Sequence, residues 1–451
     1  MSKNRMLLLL FLVAFLTITF TGQGLFSVKG AEGTSLPDEN ISELMEKAEQ
    51  GDEDAQVNLG IMYKYGQGVP KNYSKAVKFL SLAAKRGEAK AQFHIGTLYD
   101  FGRGVPKNYS EALKWYQMAA DQGHAGAQYN LGIMYANGQG VPKNISEAAK
   151  FFRMAAEQGD AGAQNNIGFM YEQGQGVTQD YSEAMKWYRR AAEQGFARAQ
   201  YNLGVMYANG QGVPPNYSEA LKWYHMAADQ GHSRAQYNIG TMYDNGQGVP
   251  QNYSKALKWY RMAADQGHTR AQNNIGFMYE QGQGVTQDYS EAMKWYRRAA
   301  EQGFARAQYN LGVMYANGQG VPQNYSEALK WYRKAAEQGI AEARYNLGVM
   351  YANGQGVPQN YSKAANLFHM AAEKGHAGSQ NNIGLMYEKG QGVTQNNKIA
   401  YIWFSLAATN SSGELQNNAA EARDRVAKKL TPEQLRKAQK NVNERKPKKQ
   451  N

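Results

Sequence analysis

Apolar residues return along this chain at two spacings, one nested in the other. The short spacing is helical. In the stretch AQYNLGVMYANG, Ala199, Leu203, Met206 and Tyr207 fall three or four residues apart, which puts them on one side of a helix. Gly210 and Gly212 then supply residues that accept a left-handed cap, and Pro214 bars continuation. A second run starts at Asn216, placed to cap a helix, with Glu219 three residues on in a capping-box position. Leu221, Tyr224, Ala227 and Ala228 mark its apolar side, with Trp223 beside them. Glu219 and Lys222 can pair on the wet side, and Gly231 ends the run. The pattern predicts helix, turn, helix.

The long spacing is 36 residues. Gly60, Gly96, Gly132, Gly168, Gly204, Gly240, Gly276, Gly312, Gly348 and Gly384 keep it without insertion or deletion. Repeats begin at 55, 91, 127, 163, 199, 235, 271, 307, 343 and 379, and the last changes character after Thr394. Residues 163–214 are identical to residues 271–322, so those copies are not independent. One hairpin cannot bury its apolar side alone, whereas a stack can. The expected fold is therefore all-α, a solenoid of about ten helix-turn-helix repeats over residues 55–408. A capping half-repeat is expected at 41–54, capping helices at 409–440 and a basic disordered tail at 441–451. Glycine inside a helix costs about 1 kcal/mol relative to alanine. Gly132, Gly168, Gly204, Gly240, Gly276, Gly312 and Gly348 are accordingly read as packing positions where a neighbouring helix backbone comes close.

The motif A-x-x-N-L-G-x-M-Y-x-x-G-x-G-V-x-x-[ND]-Y-x-x-A-x-x-W-Y-x-x-A-A-x-x-G at this period resembles the Sel-one-like repeat family, a relative of the tetratricopeptide repeats. AYIWFSLAA followed by LTPEQLRKAQ is similar to the helical terminus that many bacterial members carry. The resemblance implies a right-handed superhelix of helix pairs. It also implies a non-enzymatic adaptor that holds protein or peptide partners in envelope assembly, signalling or host contact. Some cysteine-rich members are described as acting on β-lactams. This chain has no Cys and no S-x-x-K, so a cell-wall or β-lactam enzyme has no residue-level support.

The first residues carry an address. Lys3 and Arg5 precede a fifteen-residue apolar run, Met6 to Phe20. That is the length of a signal-peptide core and short of the ~20 residues that span a bilayer. Residues 1–30 are read as a signal peptide, or as an uncleaved anchor of a tethered envelope protein, and 31–40 as a linker. The chain is thus expected in the periplasm or outside the cell. Its net charge is +12. Eleven Lys or Arg against three acids from Arg423 onward supply +8, residues 1–30 supply +3, and +1 is left for the 392 residues between. A neutral solenoid argues against nucleic acid. The basic end suits a weak contact with an anionic surface, or is simply a solvated terminus.

No cofactor or metal motif stands out. The histidines at the repeat links, His124, His232, His268 and His376, are one helix spacing apart or more and read as solvated, and the carboxylates read as surface. N-Y-S at Asn72, Asn108, Asn216, Asn252, Asn324 and Asn360 is formally a glycosylation sequon, but Asp180 and Asp288 replace it in two copies, which capping permits. Three varying places in the first helix lie on one stripe. The first is Tyr129, Asn165, Tyr201, Tyr237, Asn273, Tyr309, Tyr345, Asn381. The second runs from Ile133 and Phe169 to Leu385, and the third from Ala136 and Glu172 to Glu388. Tyr129, Tyr201, Tyr237, Tyr309 and Tyr345 are candidates for recognising an extended partner, with packing between repeats as the other reading. Asn130, Asn202, Asn238, Asn310 and Asn346, just behind, could clamp a peptide backbone or satisfy the adjacent turn. The chain is expected to work as a monomer.

Overall fold

The computed structural model describes residues 41–445. The signal or anchor segment at 1–30, the linker at 31–40 and residues 446–451 of the tail lie outside the described residues. Among those described, every regular element is a helix, and there are 23.

The chain forms two compact units, Met1–His232 and Ser233–Asn451. In the first, α1 (Ile41–Gln50) precedes five pairs: α2 (Glu53–Tyr65) with α3 (Tyr73–Lys85), α4 (Ala89–Phe101) with α5 (Tyr109–Asp121), α6 (Ala125–Asn137) with α7 (Ile145–Glu157), α8 (Ala161–Gln173) with α9 (Tyr181–Glu193), and α10 (Ala197–Asn209) with α11 (Tyr217–Asp229). The second has α12 (Ser233–Asn245) with α13 (Tyr253–Asp265), α14 (Thr269–Gln281) with α15 (Tyr289–Glu301), α16 (Ala305–Asn317) with α17 (Tyr325–Glu337), α18 (Ala341–Asn353) with α19 (Tyr361–Ala372), and α20 (Ala377–Lys389) with α21 (Asn397–Asn410). Then come α22 (Gly413–Ala427) and α23 (Pro432–Arg445). Within each unit a trailing helix packs on its own leading helix and on the leading helix of the next repeat.

Local chemistry sets the ends. The side chains of Asn108, Asp180 and Asp288 each accept backbone N–H groups one turn into a trailing helix, so Asn and Asp do the same work. The reciprocal half of a capping box is absent at Asn216: its N–H donates to the Tyr207 carbonyl at 2.8 Å instead of to Glu219. Leading helices stop at glycines in the left-handed region, such as Gly138.

In every repeat but the first, where Leu80 takes the place, the trailing helix drives an aromatic ring into its repeat. Tyr116, Phe152, Tyr188, Tyr260, Tyr296 and Phe404 are fully buried, each worth about 1.5–3 kcal/mol over leaving it exposed. The mid-helix glycine faces that ring. A Cβ on Gly132 would stand 2.6 Å from Phe152, and one on Gly204 would stand 2.6 Å from Tyr224. The expected backbone approach at these glycines is thus corrected: mainly an aromatic face fills the space. Close backbone approach occurs at the second glycine of the G-x-G loop. A Cβ on Gly140 would lie 2.7 Å from the Tyr109 carbonyl of the preceding repeat.

At the C-terminal end, α22 begins 36 residues after α20, where a further leading helix would stand. α23 folds back on α21. The helix runs to Arg445, which pairs with Glu373 at 3.2 Å and covers the Trp403 ring. Residues 441–445, expected in a disordered tail, are therefore helical, because Val442 is buried there.

Candidate functional site

The leading helices of each unit present their varying stripe side by side. The tyrosines on it are half-buried. Tyr201 lies 6.0 Å from Tyr224 of its own repeat and stacks on His232 at 4.6 Å. Tyr237 does the same with Tyr260 and His268, while Tyr345 packs on Phe368 and lies tilted against His376 at 4.8 Å. Tyr129 packs on Phe152, and Tyr309 on Tyr332. Each ring thus has one side against packing partners and part of its surface open. In the copies with Asn at that place, bulk moves four residues on, to Phe169, Phe277 or Leu385. Phe277 is 46% exposed, the most exposed large apolar side chain of the described residues.

The third place on the stripe is not a free surface position. In four of the five copies where it is acidic, the trailing-helix ring is a tyrosine whose hydroxyl it accepts, Glu388 opposite Phe404 being the exception: Tyr188 to Glu172 at 2.7 Å, Tyr260 to Asp244 at 3.0 Å, and Tyr296 to Glu280 at 2.6 Å. Tyr116 reaches Asp100 at 3.4 Å. Burial pushes the Asp100, Glu172 and Asp244 carboxyls up. Where the place is Ala136 or Ala352, the ring is Phe152 or Phe368, with no hydroxyl to satisfy. The surface reading of these carboxylates is corrected: a buried phenol needs an acceptor.

The first and last repeats differ at this place. Lys64 is buried, with Nζ 3.2 Å from His94 Nδ1 and 2.5 Å from Thr97 Oγ1. Burial, with Arg103 adding to it, lowers its amine to about 7. Glu388 instead receives Arg425 at 2.7 Å and Lys429 at 3.0 Å from α22 and the turn after it. The hydrogen bond from Arg425 leads in lowering its carboxyl to about 2.

The asparagines behind the stripe tie repeats together. Asn130 lies beside the Tyr116 hydroxyl, and Asn346 beside those of Tyr309 and Tyr332. Asn202 donates to Asn165 at 3.0 Å and Asn310 to Asn273 at 3.1 Å. Asn238 is half-buried. The link histidines are not simply solvated: His124, His268 and His376 cap the following helix through Nδ1.

Sequence reasoning missed one system. A buried glutamine near the start of the leading helices donates back to a carbonyl at the end of the preceding helix, as Gln92 does to Ala84 at 3.2 Å, and in α18 Arg344 takes its place with a bond to Ala336 at 3.1 Å. Its own Oε1 accepts from a glutamine thirty residues on: Gln122 to Gln92, Gln194 to Gln164, Gln266 to Gln236 and Gln302 to Gln272, at 2.8 to 2.9 Å. The signal was two glutamines held at fixed phase. Among the described residues no group of three or more His, Asp or Glu is placed to hold a metal ion.

The Sel1 repeat model matches ten consecutive segments, from 53–88 through 377–412. They start at helix boundaries, two residues ahead of the phase read from the sequence. A protective antigen of uropathogenic Escherichia coli strains, with an SLR fold, is similar at 35% identity and TM-score 0.64, covering 90% of this chain and 94% of that one. A Sel1 repeat protein from Oxalobacter formigenes is similar at 34% identity and TM-score 0.56, covering 69% and 90%. No curated protein matches. Ten matched segments fill most of the described residues, and with these two structures they show that the chain belongs to the Sel1 repeat family.

Proposed function

We propose that this chain is an exported, non-enzymatic adaptor that holds a protein or peptide on the leading-helix face, in envelope assembly, signalling or host contact. Repeat proteins of this family typically mediate contacts between proteins. The observation that carries the reading here is the stripe itself. Its first two places vary from repeat to repeat while the ring, alanine and glutamine positions behind them change little, with Leu80, Arg344 and Ser379 as the departures. That variation leaves half-open tyrosines and the exposed Phe277 on one face. Such polar-aromatic surface is what partner interfaces favour. The apolar run from Met6 to Phe20 supports export, and the similar E. coli protein is a protective antigen, which fits contact with a host.

The test compares capture from native extracts by the intact chain and by a variant with Tyr237→Ala, Phe277→Ala, Tyr309→Ala and Tyr345→Ala. Loss of the captured protein at unchanged helicity is expected. Undiminished capture retires this face. Sequencing the mature N-terminus checks export separately: a chain that still begins at Met1 in a membrane fraction favours the tethered envelope protein.

A further inference from the structure

We propose that the trailing-helix face of the second unit is a separate docking surface for an acidic polypeptide segment. The near-neutral charge of the repeats conceals it. Arg261 on α13, Lys294, Arg297 and Arg298 on α15, and Arg333 and Lys334 on α17 are all exposed. They occupy matching positions of three consecutive trailing helices.

These cations are held in place before any partner arrives. Arg261, Arg297 and Arg333 donate to the hydroxyls of Tyr279, Tyr315 and Tyr351 at 2.5, 2.5 and 2.7 Å. Arg298 lies over the Trp295 ring at 4.6 Å and Lys334 over Trp331 at 4.5 Å. A guanidinium has five donors, so one bond to tyrosine leaves most of the fork for a carboxylate, and ordering in advance lowers the entropy lost on binding. Between the cations lies a cavity of about 350 Å³ with Met293 and Val321 in its lining. It offers an apolar side chain a place between two acidic ones.

The chain itself lays polypeptide on the equivalent face. In α21 the places of Lys294, Arg297 and Arg298 are taken by Ile402, Ser405 and Leu406, all buried, and α23 packs on that helix. Apolar residues there take an apolar helix, and cations call for an acidic segment. A continuous phosphate backbone fits less well. Glu291 pairs with Lys294 at 2.6 Å, and Glu301 lines the cavity. Such interleaved acids oppose a strand charged at every step but tolerate spaced carboxylates.

The probe is a fluorescent peptide of interspersed Glu and Leu, titrated into the full chain by anisotropy, with its Gln-for-Glu counterpart and oligothymidylate as comparators. Lys294→Glu, Arg298→Glu and Lys334→Glu together should weaken the acidic peptide by about tenfold or more and flatten its salt dependence. Lys446→Gln, Lys448→Gln and Lys449→Gln should leave it bound, as should Phe277→Ala on the leading-helix face. Failure here therefore leaves the leading-helix reading standing. Equal affinity in the charge-reversed chain, loss of binding in the tail variant, or tighter binding of oligothymidylate or of the Gln peptide overturns the proposal.

Discussion

Arg86→Gln should tighten the first joint of the stack. At the next joint, Gln122 donates to both the Gly87 carbonyl and Gln92 Oε1, each at 2.8 Å. One repeat earlier Arg86 stands in that place. It reaches the matching carbonyl of Gly51 at 2.5 Å and lies 3.8 Å from Glu53. It leaves Gln56 Oε1 buried without a hydrogen-bond partner. A glutamine there can make both bonds, as Gln122 does. Satisfying a buried acceptor returns about 1–3 kcal/mol. Giving up the exposed Arg86–Glu53 contact costs about 0–1 kcal/mol. The net expectation is a gain of about 1 kcal/mol. In a stack whose repeats open piecewise, global denaturation dilutes such an effect. Hydrogen exchange followed by mass spectrometry resolves it: peptides from α1 and α2 should exchange about fivefold more slowly. The reciprocal Gln122→Arg should orphan Gln92 Oε1 and loosen α4 by a similar factor. Unchanged protection in α1 and α2, or a neutral Gln122→Arg, would refute the idea that this glutamine pair fastens one repeat to the next.

Three further outcomes follow from other contacts. Gly204→Ala should destabilise by about 1–3 kcal/mol through overpacking against Tyr224, despite better helix propensity. Gly123→Ala, with φ +86° and open space around it, should lose only the about 1–2 kcal/mol of a left-handed backbone; urea titration separates the two. Lys64→Met should raise the melting temperature of the N-terminal repeats most below pH 7. The wild-type amine is lowered from 10.5 to about 7 by folding, so its penalty is full below the folded value and fades as pH rises towards 10.5. Glu388 has the opposite sense: its carboxyl falls from 4.5 to about 2 on folding, so its contribution is full above pH 4.5 and is lost as pH drops towards 2. Glu388→Gln should abolish that acid limb in the exchange of α22.

The repeat, the helix pairs and their ends were legible because local rules write them. Glycine and proline stop a helix wherever it is, and Asn216 or Asp180 caps the next one whatever lies around it. Gln92 and Gln122 were not legible as a pair, because a glutamine reads as surface until two repeats are stacked and one of them is sealed in. Gly132 announced close packing, but only the fold says that the Phe152 ring, rather than a backbone, comes close. Asn216 shows the limit even of a local rule: the Tyr207 carbonyl takes the N–H that a capping box would give to Glu219.

The stripe on the leading helices was ambiguous for a physical reason, and the sequence held the means to resolve part of it. A buried tyrosine hydroxyl must find an acceptor, whereas phenylalanine needs none. Asp100, Glu172, Asp244 and Glu280 accompany Tyr116, Tyr188, Tyr260 and Tyr296, and Ala136 and Ala352 accompany Phe152 and Phe368. Ala208 and Ala316 stand opposite tyrosines all the same, Tyr224 and Tyr332, and Asn346 of the next repeat lies beside the Tyr332 hydroxyl. Where an acid stands opposite a tyrosine, the third place on the stripe is therefore committed to the ring behind it, whereas Glu388, opposite Phe404, is taken up by Arg425 and Lys429. Apart from the buried Ile133, and from Thr97 and Thr241, which accept from Lys64 and Tyr260, what stays uncommitted is the second place and the open side of the first, which is where Phe277 and the tyrosines stand. A partner on this face is best read there, by a few aromatic surfaces spaced one repeat apart, since Asp100, Glu172, Asp244 and Glu280 between them already hold tyrosine hydroxyls.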